Sequence, residues 1–207
     1  MDVRYGMEEG IKLLRQATKT LKIPVFGSLL VIEPFPDNVD EWVKLALKLE
    51  EAGARMLELN FTLLEHPLDS SSEIVKAVRE AVAIPVMPKL TPAMVDIASV
   101  AKKCEEAGAS AISAINMYKN MCIPGCNIYD DGKPLHPGLK TQFFAGMCGS
   151  MLKPIAFRCV ADIARSVKIP ISGVGGILTF EDAIQMIMFG FMMSFMSTHL
   201  FQKFVKQ

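Results

Sequence analysis

One short phrase opens three separate apolar runs. Lys22–Val25 reads KIPV, Ala83–Val86 reads AIPV and Lys168–Ile171 reads KIPI. Proline has no N–H to give to a ladder, so a strand tolerates it at its first residue. Each phrase therefore marks where a strand begins. A second phrase, EEAGA, occurs at Glu50–Ala54 and again at Glu105–Ala109. Its glycine sits where a helix ends in a left-handed residue. The chain thus alternates helix and strand, and this alternation limits the folds open to it more than any other feature.

Helices are expected near 7–20, 38–52, 71–82, 94–107, 152–166 and 179–189, with a last one near 199–205. Strands are expected near 23–29, 55–60, 84–89, 111–116, 169–173 and 192–196. These strands are apolar throughout rather than alternating, as in a parallel sheet whose outer face is covered by helices. The class is α/β. Right-handed crossovers without a reversal favour a (β/α)8 TIM-barrel type over an open sheet. About six strands are countable where a closed barrel has eight. The chain opens on a helix, so the expectation is one barrel domain over residues 1–207, N-terminally incomplete. A homo-oligomer or a partner chain would then complete the barrel. Residues 117–150 read as one long irregular stretch, the kind of loop that usually carries function.

Composition excludes several classes. Net charge is zero and hydrophobic content is 51%, which gives no basic footprint for nucleic acid and no polybasic membrane patch. Ala183–Gln202 lacks charged residues but contains Gln185, Gly190, Ser194, Ser197, Thr198, His199 and Gln202. It reads as a buried helix-turn-strand rather than a membrane span. The N-terminal residues lack a secretory pattern. The five cysteines have no framework spacing, so reduced thiols in a cytoplasm are expected. Cys122, Cys126 and His136 are too few for a structural metal site, and no metal is expected.

In barrels of this type phosphate binds at the loops after the last two strands and at a short extra helix. Gly175 and Gly176 follow the next-to-last expected strand, and Ser197 and Thr198 follow the last. The helix after Gly176 is a poorer anion site, because Thr179, Glu181 and Asp182 already occupy its N-terminus. The competing reading of the glycine pair is a tight strand-to-helix turn.

Four motifs in chain order are MLELNF, MPKLTP, AGMCGSMLKPIAFRCV and ISGVGGI. Together they resemble the FMN-dependent dihydroorotate dehydrogenase family. KLTPAMVDIASVAKKCEEAGA leans toward its dihydropyrimidine dehydrogenase branch. The resemblance runs from about Tyr5 to the C-terminus. It implies FMN as cofactor and hydride transfer between the flavin and a dihydropyrimidine- or dihydroorotate-like ring. The flavin phosphate would be held by Gly149, by Gly175 and Gly176, and by Ser197 and Thr198. Lys89 would tune the flavin, and Asn60 and Asn116 would bind a pyrimidine-like substrate.

The same resemblance locates a gap. The family's general base, a Cys or Ser after the fourth strand, falls on Leu63, and a family asparagine falls on Glu65. Substitutes are His66 and Ser70, with Ser71 and Ser72 beyond them. The competing reading of those serines is a helix N-terminus. The alternative function is a catalytically degenerate barrel that binds a phosphate ligand or serves as an interaction subunit.

Overall fold

The computed structural model describes residues 6–31, 38–64, 67–122, 144–189 and 193–194. It alternates helix and strand: α1 Met7–Thr20, β1 Phe26–Leu29, α2 Val39–Glu51, β2 Met56–Asn60, α3 Pro67–Ala81, β3 Val86–Leu90, α4 Ile97–Glu106 and β4 Ile112–Ala114. A hairpin follows, β5 Tyr118–Cys122 and β6 Phe144–Met147. Then come α5 Lys153–Ser166, β7 Ile171–Gly173, α6 Phe180–Met188 and β8 Met193–Ser194. Six strands form one parallel sheet in the order β1-β2-β3-β4-β7-β8, with the hairpin as a separate antiparallel pair. The architecture is α/β of TIM-barrel type, and among the described residues β1 and β8 are the outer strands.

The sheet's two faces differ. Leu57, Leu59, Val86, Leu90, Ile112 and Ile171 alternate onto the helix-covered face and are all buried. Burying each such side chain is worth about 1.5–3 kcal/mol, which makes this face the core. Trp42 of α2 and Phe61 after β2 meet edge to face within it, at 5.5 Å between ring centres. The opposite positions line the concave face, where Phe26, Met56 and Met87 share it with the polar Ser28, Glu58, Asn60, Lys89, Ser113 and Ser172.

Two differences from the sequence reading have local causes. α3 begins at Pro67 rather than near 71. Proline suits a first helical turn because its missing N–H would be unpaired there anyway. The stretch read as irregular contains the β5–β6 hairpin. Its strands, YKNMC and FAGM, mix polar and apolar residues and so lack the continuous apolar signature of the central strands.

The EEAGA repeat has a physical reason. Glu50, at the end of α2, accepts hydrogen bonds from the backbone N–H groups of Ala83 and Ile84 at 2.8 and 3.1 Å. Glu105, at the end of α4, accepts from Lys168 and Ile169 at 2.6 and 3.1 Å. Both carboxylates therefore seize the two residues that precede the proline of an Ile-Pro strand opening, at the sheet's N-terminal end. Each glutamate leads its helix toward a strand beyond the one that helix precedes: α2 precedes β2 but clamps the start of β3.

The Glu105 carboxyl is held below the usual range, first by the hydrogen bond from Lys102 and then by these backbone N–H groups. Its stabilising contribution is present above the ordinary carboxylate range and is lost as falling pH passes through the lowered value. Glu105→Ala is expected to cost about 1–2 kcal/mol. Substituting its exposed neighbour, Glu106→Ala, is expected to stay within about 0.5 kcal/mol. Urea unfolding at neutral pH checks both, and repeating it in acid should shrink the gap between Glu105→Ala and the parent chain.

Candidate functional site

A single carboxylate organises the concave face. Glu58 of β2 accepts from the Ser28 hydroxyl at 2.9 Å and from the Ser113 hydroxyl at 3.1 Å. Its Oε1 also meets the Lys89 Nζ at 3.5 Å. The register explains the meeting, because Ser28 is opposite Glu58, Asn60 opposite Lys89, and Lys89 opposite Ser113. The Glu58 and Lys89 side chains are only 14% and 20% exposed, so Lys89 is a half-buried, paired cation rather than a solvated lysine. Next to Ser113 in register lies Ser172 of β7, buried, its hydroxyl without a hydrogen-bond partner among the described residues.

Beyond this layer, toward the C-terminal strand ends, two amides interlock. Asn60 Oδ1 accepts from the Thr62 N–H at 3.1 Å and from Asn116 Nδ2 at 2.8 Å. Asn116 Nδ2 also reaches the Thr62 hydroxyl, and Asn116 Oδ1 accepts from the Met117 N–H at 2.9 Å. A backbone N–H can only donate, so each contacted amide atom is an oxygen and both amide orientations are fixed. Asn60 thereby keeps its own NH2 for a further acceptor, since it donates to nothing among the described residues. Asn60, Asn116 and Lys89 come together on three neighbouring strand ends.

The glycine pair has a definite neighbour. Gly175 and Gly176 have φ of +130° and +72°, and a Cβ on Gly176 would stand 2.6 Å from the Lys153 Cβ and 2.8 Å from its backbone N. A Cβ on Gly175 would stand 2.9 Å from that of Ala156. The pair lets the β7–α6 turn lie directly against the first turn of α5. A short 3-10 turn, Gly149–Leu152, leads into that same helix, with Gly149 at φ +74°. Gly149, Gly175 and Gly176 are therefore gathered around one helix N-terminus. α5 has no acidic residue in its first turn and no side-chain cap, so its own residues leave the positive dipole end unneutralised, while the Lys153 N–H bonds the Ser150 carbonyl. α6 is the opposite: Thr179 and Asp182 form a capping box, and Asp182 is also bonded by Lys153. The Lys153 bond and the backbone N–H groups of Leu178 and Thr179 hold the Asp182 carboxyl below its usual range.

Ser197, Thr198, the expected terminal helix near 199–205, Glu65, His66, Cys126 and His136 lie outside the described residues. Leu63 closes a 3-10 turn, Phe61–Leu63. Ser70 and Ser71 are buried within α3 rather than in a loop, and Ser71 bonds the Cys104 thiol on α4. Burial pushes that thiol up to about 12, which fits a packing role. Among the described residues no group of three or more His, Cys, Asp or Glu side chains could hold a metal, and no helix is long and apolar enough to cross a membrane. The sequence reading missed Glu58 and the α5 N-terminus. A charged residue inside the apolar run MLELN was the available signal for the first, and Pro154 at a helix start for the second.

Polar side chains at the C-terminal ends of parallel strands, beside a glycine-lined helix N-terminus, define a (β/α)-barrel-type domain with a ligand site at its usual end. The family model for dihydroorotate dehydrogenase matches residues 6–205, and the chain belongs to that family. It is 35% identical over 193 residues to a dihydroorotate dehydrogenase B (NAD(+)) catalytic subunit of Methanothermobacter thermautotrophicus, covering 87% of this chain and 59% of the relative. It is 32% identical over 200 residues to the NAD-dependent dihydropyrimidine dehydrogenase subunit PreA of Escherichia coli K12, covering 90% of this chain and 47% of the relative. The chain thus spans about half the length of the relatives it matches. Among solved structures it resembles "QR15, an Aldolase" with a TM-score of 0.63 at 20% identity, covering 95% of this chain and 79% of that one. It also resembles FabK from Thermotoga maritima with a TM-score of 0.56 at 16% identity, covering 93% and 47%. At these identities the structural likenesses establish the fold alone.

The glycine packing predicts an order of substitutions. Gly176→Ala meets both a left-handed backbone and the Lys153 main chain, and is expected to cost about 2–4 kcal/mol. Gly149→Ala has open space around its Cβ. It is expected to cost only the backbone term, about 1–2 kcal/mol. Urea midpoints of the two variants give the order directly.

Proposed function

We propose that this chain forms the flavin- and substrate-binding part of an oxidoreductase of pyrimidine metabolism, with FMN as cofactor and a dihydroorotate- or dihydropyrimidine-like ring as substrate. The observation that carries this reading is the interlocked Asn60–Asn116 amide pair, with Lys89 opposite Asn60 in register on the same polar sheet face. Asn60 keeps its NH2 donor and Asn116 Oδ1 keeps a second lone pair, so the pair together offers a donor and an acceptor, which suits the alternating edge of a pyrimidine. A fixed cation nearby stabilises negative charge on a ring. The relatives, described as a dihydroorotate dehydrogenase catalytic subunit and a dihydropyrimidine dehydrogenase subunit, support the substrate class and a partner subunit.

Glycine backbone at a helix N-terminus and a lysine on the polar sheet face are the kinds of group that the two ends of FMN need. Gly149, Gly175 and Gly176 would receive the phosphate with backbone N–H groups at the α5 N-terminus, with Ser197 and Thr198 as the remaining contacts. Lys89 would lie at the ring end. Bound FMN supplies hydride chemistry, so that a ring C–C single bond becomes a double bond as the flavin is reduced, with the second hydrogen leaving as a proton, or the reverse. Asn60 and Asn116 would orient the ring by its amide edge. The proton would pass to a base that follows β2 in the sequence, for which His66 and Ser70 are the candidates. A second reading, a barrel that binds a phosphate ligand without turnover, is favoured by leucine at position 63 in the place of the family's base.

Purified protein, reconstituted with FMN where needed, is expected to show flavin absorbance and to release FMN on denaturation. A colourless protein that takes up no FMN would overturn the flavin reading. Bleaching of bound flavin by dihydroorotate, or by NAD(P)H followed by reoxidation with uracil, separates turnover from binding alone. Asn116→Ala is expected to keep FMN and to lower kcat/KM by about 10–100-fold, the cost of one lost substrate hydrogen bond.

A further inference from the structure

We infer that Glu58 is a positioning residue for Lys89: its carboxylate, pinned by two serine hydroxyls, holds the ammonium beside the amide pair. The inference rests on the flavin reading for its consequence, but its geometry stands alone. Glu58 sits on β2 and takes hydrogen bonds from β1 through Ser28 and from β4 through Ser113, so neither oxygen is free to turn. Its one charged contact among the described residues is Lys89 on β3, at 3.5 Å. A single carboxylate therefore ties together four adjacent strands of the sheet.

The asymmetry within this group is informative. A buried carboxylate is costly unless paired and hydrogen-bonded, and here the hydroxyl bonds, at 2.9 and 3.1 Å, are tighter than the ionic one. Serines on both sides fix the anion, and the anion then offers the cation a loose seat. An ammonium has three donors, and the described residues engage only one, at that long distance. Lys89 is thus tethered in direction while its remaining donors are left for something else. An arrangement built only to neutralise a half-buried lysine would close the pair. The register puts Lys89 opposite Asn60, so the tether also sets the lysine's height relative to the amide that would read the ring.

The nearly isosteric Glu58→Gln variant tests this, because glutamine keeps the acceptor oxygen and removes the charge. The first measurement needs no flavin: the rate at which Lys89 is acylated by a small amine reagent at fixed pH, read by peptide mass spectrometry. Loss of the tether should raise the rate several-fold in Glu58→Gln, and an unchanged rate would overturn the inference. If Glu58→Gln does not fold, Ser113→Ala replaces it, since it loosens the carboxylate from the far side and should raise the rate by a smaller factor. The second measurement is the midpoint potential of bound FMN. If Glu58 acts through Lys89, Glu58→Gln lowers the potential in the same direction as Lys89→Met and adds nothing in the double variant. If Glu58 acts directly on the flavin, removing its charge raises the potential even without the lysine, and the positioning role is excluded. Failure to bind FMN at all would sink the proposed function while the acylation rates still decide the role of Glu58.

Discussion

Everything in this structure depends on one parallel sheet having two unlike faces. A parallel sheet cannot close its own crossovers without helices, and those helices demand an apolar face to lie on. Leu57, Leu59, Val86, Leu90, Ile112 and Ile171 meet that demand. Because the pleat has a period of two, the residues between them are released from it. Ser28, Glu58, Asn60, Lys89, Ser113 and Ser172 occupy the released positions. The stable face and the chemical face are thus written into alternate letters of the same strands. A slip of one residue in register would exchange them.

The fold was largely legible because its signals are local. Continuous apolar strands, Ile-Pro openings and Ala-Gly-Ala helix ends are each readable within a few residues, and the strands fall where they predict. The hairpin was not legible, because Tyr118–Cys122 and Phe144–Met147 are stabilised by each other rather than by an apolar run. The start of α3 was displaced by reading the serine cluster as a cap when Pro67 already begins the helix.

The site was legible to a lesser degree, for a physical reason. Asn60, Lys89 and Asn116 stood out because polar residues at strand ends are easy to see, and the structure does bring them together. Glu58 did not stand out, since nothing in MLELN shows that Ser28 and Ser113 will meet its carboxylate from strands on either side. Likewise the glycine pair announces a close approach without naming the approaching group. That group is the first turn of α5, which lies one helix and one strand earlier in the chain and meets the glycines only through the fold. Partners across strands are a tertiary fact, and only the demand for them is written locally.

The glutamates at the helix ends carry a last consequence. Because Glu50 and Glu105 each fasten the start of the neighbouring sheet strand rather than the strand their own helix leads into, two of the units depend on a neighbour for a lock. Such a sheet is assembled like overlapping roof tiles, each course held down by the one beside it. Order should therefore spread from unit to unit rather than arise in isolated ones, and damage to one helix end should loosen the strand beyond it before its own.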